Sequence, residues 1–147
     1  MYLIFCTILI FTNKDDIHAD LVLEKLRKRG ECVFRFNSDD FPMNSSVAIT
    51  AKGSQRTIKF ITPKGTLCGN DIKSIWFRRW KHIGIDPAID ETHKRFIREE
   101  TKMFMNGLWM MLKGFWVNNP NIIFRLQNKI YQLMVAQEIG FTTPHRQ

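Results

Sequence analysis

Cysteine is scarce in this chain. Its 147 residues hold three, Cys6, Cys32 and Cys68. No two form a C-x-x-C pair, and an odd count at wide spacing argues against both a disulfide framework and a zinc knuckle. All three lie among apolar residues in strand-like runs, which reads as buried, inert thiols in a reducing cytosol. The usual catalytic and nucleotide motifs are also lacking: no G-x-G-x-x-G, no G-x-x-x-x-G-K-[ST], no G-x-S-x-G and no H-E-x-x-H. His18, His82, His93 and His145 show no metal-ligand spacing. No apolar run reaches the roughly 20 residues of a membrane helix. The longest stretch, residues 1–12 (MYLIFCTILIFT), has no positive charge before it and no small-residue cleavage site after it. It reads as a buried first strand, not a signal peptide. Internal repeats and low-complexity segments are missing too.

What remains is an ordinary globular composition, 44% hydrophobic and 24% charged. The length fits about one domain with a core of its own. The net charge of +8 permits an anionic partner. It is spread out: residues up to Ser74 hold 11 basic and 8 acidic side chains, and the rest hold 11 and 6. The largest basic cluster, Lys25, Arg27, Lys28 and Arg29, reads as a solvated helix face.

The order of elements is legible in the patterning. After the first strand, Asp15 or Asp16 caps a helix whose Ala19, Val22, Leu23 and Leu26 recur at helical spacing. Gly30 follows its end, and CVFRF (32–36) forms a second strand, completing a βαβ unit of parallel strands. Residues 46–50, 57–62 and 66–68 predict an antiparallel hairpin or small meander, separated by turns at 52–55 and 63–65. SIWF (74–77) is another strand. A long helix follows, capped by Asp90 or Thr92, with Phe96, Ile97, Met103, Phe104, Leu108, Met111 and Leu112 as its apolar stripe. Met103, Met105, Met110 and Met111 read as core packing. FWV (115–117) is a short strand. Asn119-Pro120 then opens one last helix, with Ile122, Ile123, Leu126, Ile130, Leu133 and Met134 on its buried face and Gly140 at its close. The fold class is therefore α/β, an open and mostly parallel sheet flanked by helices with an inserted β-hairpin.

Open parallel sheets bind ligands beyond the carboxyl ends of their strands. Polar residues collect at those ends here: Thr12-Asn13, then Asn37-Ser38-Asp39-Asp40, then Arg78-Arg79, then Asn118-Asn119. If the strands are parallel neighbours, all four groups crowd one edge. Adjacent guanidiniums there suit carboxylate or phosphate, with Asp39 and Asp40 as alternative partners. The asparagines serve equally well as turn and helix caps. Strand alternation puts Trp76 and Arg78 on one face and Phe77 and Arg79 on the other, so one aromatic belongs to the core. Trp76, Arg78, Arg79 and Trp80 also carry the reading of a small basic nucleic-acid-binding module, a weaker one.

TNKDDIHADLVLEKLRKRGECVFRFNSDDFP (12–42), SIWFRRW and FWVNNPNIIFRLQNKIYQLMVAQEIGFTTP together resemble the N-terminal region of the microviridin-type, MvdD-like ATP-grasp peptide maturases. The similarity runs from about Thr7 onward through four ordered blocks: TN-x-x-D-x-HAD, FRFN-x-DDFP, W-[FY]-RR and VN-x-P…NK…GF-x-x-P. It implies a pre-ATP-grasp domain over residues 1–140 and the start of a missing ATP-grasp module at 141–147. It implies a complete enzyme that uses ATP and Mg2+ to activate Asp or Glu side chains of a precursor peptide and closes ω-ester or ω-amide rings. The family's nucleotide and magnesium ligands would lie beyond Gln147, so no catalytic, cofactor or metal residue is expected in this chain. Lys129 alone does not hold a nucleotide. Arg78, Arg79, Asn13, Asn37, Asp39, Asp40, Asn118 and Asn119 would face the precursor peptide or an interface with the ATP-grasp modules or a second copy. The expected setting is cytoplasmic, from the cysteine usage, and without a membrane, and nucleic acid stays the weaker partner reading. A stand-alone peptide-binding domain without catalysis is the other reading. Loss of partner modules would leave some of Trp109, Met110, Phe115 and Phe124 exposed.

Overall fold

The computed structural model describes residues 7–80 and 83–142. The expectations for residues 1–6 with Cys6, for His82, and for residues 143–147 with His145 lie outside the described residues. Strand β1 (Thr7–Thr12) leads through a tight turn into α1 (Ile17–Lys28) and then β2 (Cys32–Asn37). The two strands are parallel, Phe11 lying beside Phe36 and Thr12 beside Asn37. Gly30 takes a φ of 80° just past α1, a left-handed conformation that side-chain-bearing residues rarely adopt. A short 3-10 turn (Ser38–Asp40) then leads to β3 (Ser46–Lys52), β4 (Gln55–Thr62) and β5 (Gly65–Cys68), a separate antiparallel sheet in the order β3-β4-β5. The chain returns to the first sheet as β6 (Ile72–Phe77), crosses by α2 (Glu91–Met111) and enters β7 (Phe115–Val117). The main sheet is β2-β1-β6-β7, with every adjacent pair parallel.

Alternation decides what each face of that sheet meets. Leu9, Phe11, Phe36, Ile75 and Phe77 share one face and form the core with Phe60 and Leu67 of the antiparallel sheet and Met105, Leu108 and Trp109 of α2. Phe11 sits at its centre, edge-on to Phe36 at 5.9 Å, to Phe60 at 5.8 Å and to Trp109 at 6.3 Å between ring centroids. The opposite face carries Ile10, Thr12, Arg35 and Trp76, and α1 lies over it through its one buried side chain, Ala19.

Four expectations need correction. The apolar stripe of α2 is only partly buried: Leu108 and Leu112 are in the core, while Phe96, Met103, Phe104 and Met111 are exposed, and of the four methionines read as core packing only Met105 is buried. A helix of 21 residues is about 31 Å long, against about 20 Å for a six-residue strand, so much of it overhangs the sheet. The last helix is two, α3 (Pro120–Leu126) and α4 (Lys129–Glu138). The Asn128 side chain accepts from the backbone N–H of Ile130 and Tyr131, which starts a new helix where the pattern reads as continuous. The face expected to be buried is open, with Ile122, Leu126, Ile130, Leu133 and Met134 all exposed. Cys32 is exposed at the start of β2, and Cys68 is half-buried.

Candidate functional site

Because β1, β2, β6 and β7 run the same way, their carboxyl ends form one edge. The β1–α1 turn, the 3-10 turn after β2, Arg78-Arg79 after β6 and Asn118-Asn119 after β7 all lie along it. The organising residue is Asp16. Its carboxylate caps α1 by accepting from the backbone N–H of Ala19 at 3.3 Å. It also accepts from the Thr12 hydroxyl at 2.6 Å and from Arg78 Nε at 2.7 Å. The Asp16 side chain is fully buried and that of Arg78 is 22% exposed. Burial pushes the Asp16 carboxyl up, but hydrogen bonds from Thr12 and Arg78 and from the Ala19 amide overcome it, leaving the pKa below the ordinary carboxylate value.

Arg78 is thereby locked. Its backbone N–H donates to the Phe11 carbonyl at 3.0 Å, continuing the β1–β6 ladder. Its guanidinium lies 5.4 Å from the centre of the Trp76 ring. Only Nε is committed to Asp16, so the two terminal nitrogens have no hydrogen-bond partner among the described residues. Arg79 is exposed and makes no ion pair among them.

The acidic pair has a different partner from the expected arginines. Lys14 Nζ lies 2.6 Å from Asp40, and the Lys14 backbone N–H donates to both carboxylate oxygens of Asp39 at 3.1 and 3.2 Å. Asn37 donates to Asp40 at 3.1 Å. Burial raises the Asp40 pKa, and the Lys14 and Asn37 hydrogen bonds bring it below the ordinary value. The physical reason is placement. The β1–α1 turn brings Lys14 over the 3-10 turn, while the buried carboxylate of Asp16 takes Arg78. Asn119 is committed as the cap of α3, accepting from the Asn121 N–H at 2.9 Å, and Asn118 is exposed.

Sequence reading missed two residues of this edge. Asp16 reads there only as a helix cap. Arg35 is not singled out, though it is the one charge inside the apolar strand CVFRF. Its Nε donates to the Asn37 side chain at 2.7 Å, and its terminal nitrogens reach Asp20 and the carbonyls of Asn13 and Lys14. It fastens the β1–α1 turn to β2. Among the described residues no three His, Cys, Asp or Glu side chains converge as a metal-binding group. Lys129 stands exposed at the start of α4.

An open parallel sheet flanked by helices, with an anchored, partly exposed arginine at its carboxyl edge, defines an α/β domain. The family model described as the MvdD pre-ATP grasp domain matches residues 7–123, and the chain belongs to that family. Among solved structures the fold is similar to a Chryseobacterium gregarium RiPP-associated ATP-grasp ligase in complex with ADP and a leader and core peptide. That match has 29% identity and a TM-score of 0.82, and covers 95% of this chain and 43% of the ligase. Macrocyclase MdnB from Microcystis aeruginosa MRC aligns at 24% identity and TM-score 0.82, with 95% of this chain and 46% of that one covered. Macrocyclase MdnC from the same organism, bound with precursor peptide MdnA, aligns at 23% and 0.84 with the same coverage. The two macrocyclases speak to the fold. This chain spans less than half the length of each of these proteins. Among curated proteins no match is found.

Proposed function

We propose that this chain serves as the N-terminal pre-ATP-grasp domain of an ATP-dependent ligase that closes ω-ester or ω-amide rings in a ribosomally made peptide. ATP and Mg2+ are held by further ATP-grasp modules, and residues 141–147 begin the first of them. The chain's own contribution is the carboxyl edge of its sheet, which meets the precursor peptide or the adjoining modules. The observation that carries this reading is Arg78, held by buried Asp16 with its terminal nitrogens unspent among the described residues, beside Arg79, which makes no ion pair among them. A guanidinium fixed in this way is organised before binding and forks onto a carboxylate, the group such a ligase activates.

The test begins with the DNA downstream of codon 147. An ATP-grasp coding region there, in frame or as a separate gene, allows the complete ligase to be assembled with its neighbouring precursor gene. Ring closure then appears as loss of one water per bond, dependent on ATP. Arg78→Gln lowers kcat/KM for that peptide by roughly 10- to 100-fold, the scale of a lost charge-assisted hydrogen bond. Unrelated sequence downstream, together with no ATP-grasp protein that binds this chain, would sink the reading.

A further inference from the structure

A second feature lies away from the Arg78–Asp16 pair. Between α2, α3 and the connection after β6 runs a groove of about 910 Å3. Trp80, Trp109 and Phe124 line it as an aromatic floor, and Lys94, Arg98 and Lys102 stand along its α2 wall. The three cations recur every fourth residue and so form one row. Glu91 is shared between Lys94 at 3.2 Å and Arg98 at 3.5 Å, and Lys102 has no acidic partner among the described residues. Glu99 also lines the groove, so its described lining sets three cations against two carboxylates and keeps one net positive charge. At the floor, the Trp109 indole N–H is buried, with no acceptor among the described residues.

Shape selects the class of occupant. The wall from Glu91 to Asn106 runs about 22 Å along the helix axis, the length of about six or seven extended residues. That is long for a compact small molecule and suited to a strand of peptide. We propose that this groove holds an extended segment of a peptide partner in which an apolar side chain, seated on Trp80, Trp109 and Phe124, is flanked by carboxylates that face Lys102 and Arg98. The proposal rests on the reading of this chain as part of a peptide-modifying enzyme, and adds a docking site distinct from the Arg78 edge.

The test uses the 147-residue chain and a labelled synthetic peptide, acetyl-Gly-Asp-Glu-Phe-Leu-Glu-Gly-amide, followed by anisotropy and by the protein's tryptophan fluorescence. Two control peptides replace either the acidic residues by lysine or the Phe-Leu pair by serine. The acidic, apolar probe binds and perturbs the tryptophan emission, and both controls bind at least about tenfold more weakly. Arg98→Glu and Lys102→Glu, both on the exposed side of α2, each weaken binding about tenfold, and Arg78→Gln leaves it within about twofold. The groove assignment is overturned by no binding at millimolar probe, by equal binding of the lysine control, or by charge reversals that change nothing. Competition between the probe and self-association of the chain would give the groove to a second copy and overturn it as well. If Arg78→Gln alone abolishes binding, the groove is wrong and the edge reading stands. A complete ligase indifferent to Arg78→Gln makes the reverse distinction.

Discussion

At the scale of single residues, Asp16 joins three tasks that are usually separate. It caps α1, ties the end of β1 through Thr12, and fixes Arg78 from β6. Removing its charge while keeping its shape isolates the ionic part. Asp16→Asn therefore costs about 2 kcal/mol of stability, read from the denaturant midpoint, because Arg78 loses its charge-assisted partner. The pH dependence has a fixed sign. The folded pKa of Asp16 lies below the unfolded value of about 3.9, so its contribution is complete above that value and is lost as pH falls through the folded pKa. Asp40 acts in the same direction. An acid titration of stability should thus fall below about pH 4, and less steeply in Asp16→Asn than in the parent. Equal slopes in the two proteins would mean that Asp16 is not the group being titrated.

At the scale of elements, α2 carries an unexplained cost. Gly107 lies in its interior, exposed, and a Cβ built there meets nothing within 4 Å. Glycine inside a helix gives up more backbone freedom than alanine and returns no packing here. Gly107→Ala is expected to raise stability by about 1 kcal/mol, seen as a higher thermal midpoint. A destabilising outcome would show that the space beside Gly107 is filled by the chain itself in solution. Gly84 is the contrasting case. A Cβ there would stand 2.6 Å from the Asp39 carbonyl oxygen, and its N–H donates to the Phe41 carbonyl at 2.8 Å. That glycine lets the connection after β6 close over the 3-10 turn and so helps shape the edge.

At the scale of the whole molecule, the apolar surface is unevenly satisfied. Trp109 is 3% exposed and belongs to the core, but Met110 at 75%, Phe115 at 72% and Phe124 at 47% are open, as are most apolar residues of α3 and α4. A patch of this kind marks a surface suited to a partner. Because Ile130 and Met134 already face water, changing them to glutamine should alter folding stability by no more than about 0.5 kcal/mol each. The same changes should reduce binding of a hydrophobic dye. A loss of several kcal/mol would mean that α4 is packed in solution in a way this structure does not show.

The sequence by itself determined the order of elements, the parallel βαβ start, the inserted antiparallel strands and the polar ends of the strands, because periodicity, caps and turn residues act locally. The Asn119 cap follows from the same local rules, which also narrow the α1 cap to Asp15 or Asp16 and give one of Trp76 and Phe77 to the core. Only the tertiary structure decided which charges meet. Arg78 is claimed by an aspartate 62 positions earlier in the chain, Lys14 takes Asp39 and Asp40, and Arg35 fastens a turn from the neighbouring strand. Such pairings depend on sheet order and on which face each residue presents, and neither is written in spacing along the chain. Burial on α2, α3 and α4 was hidden for the same reason. An apolar stripe shows that a helix has a face to cover, but the length and position of its neighbours determine how much of that face is covered.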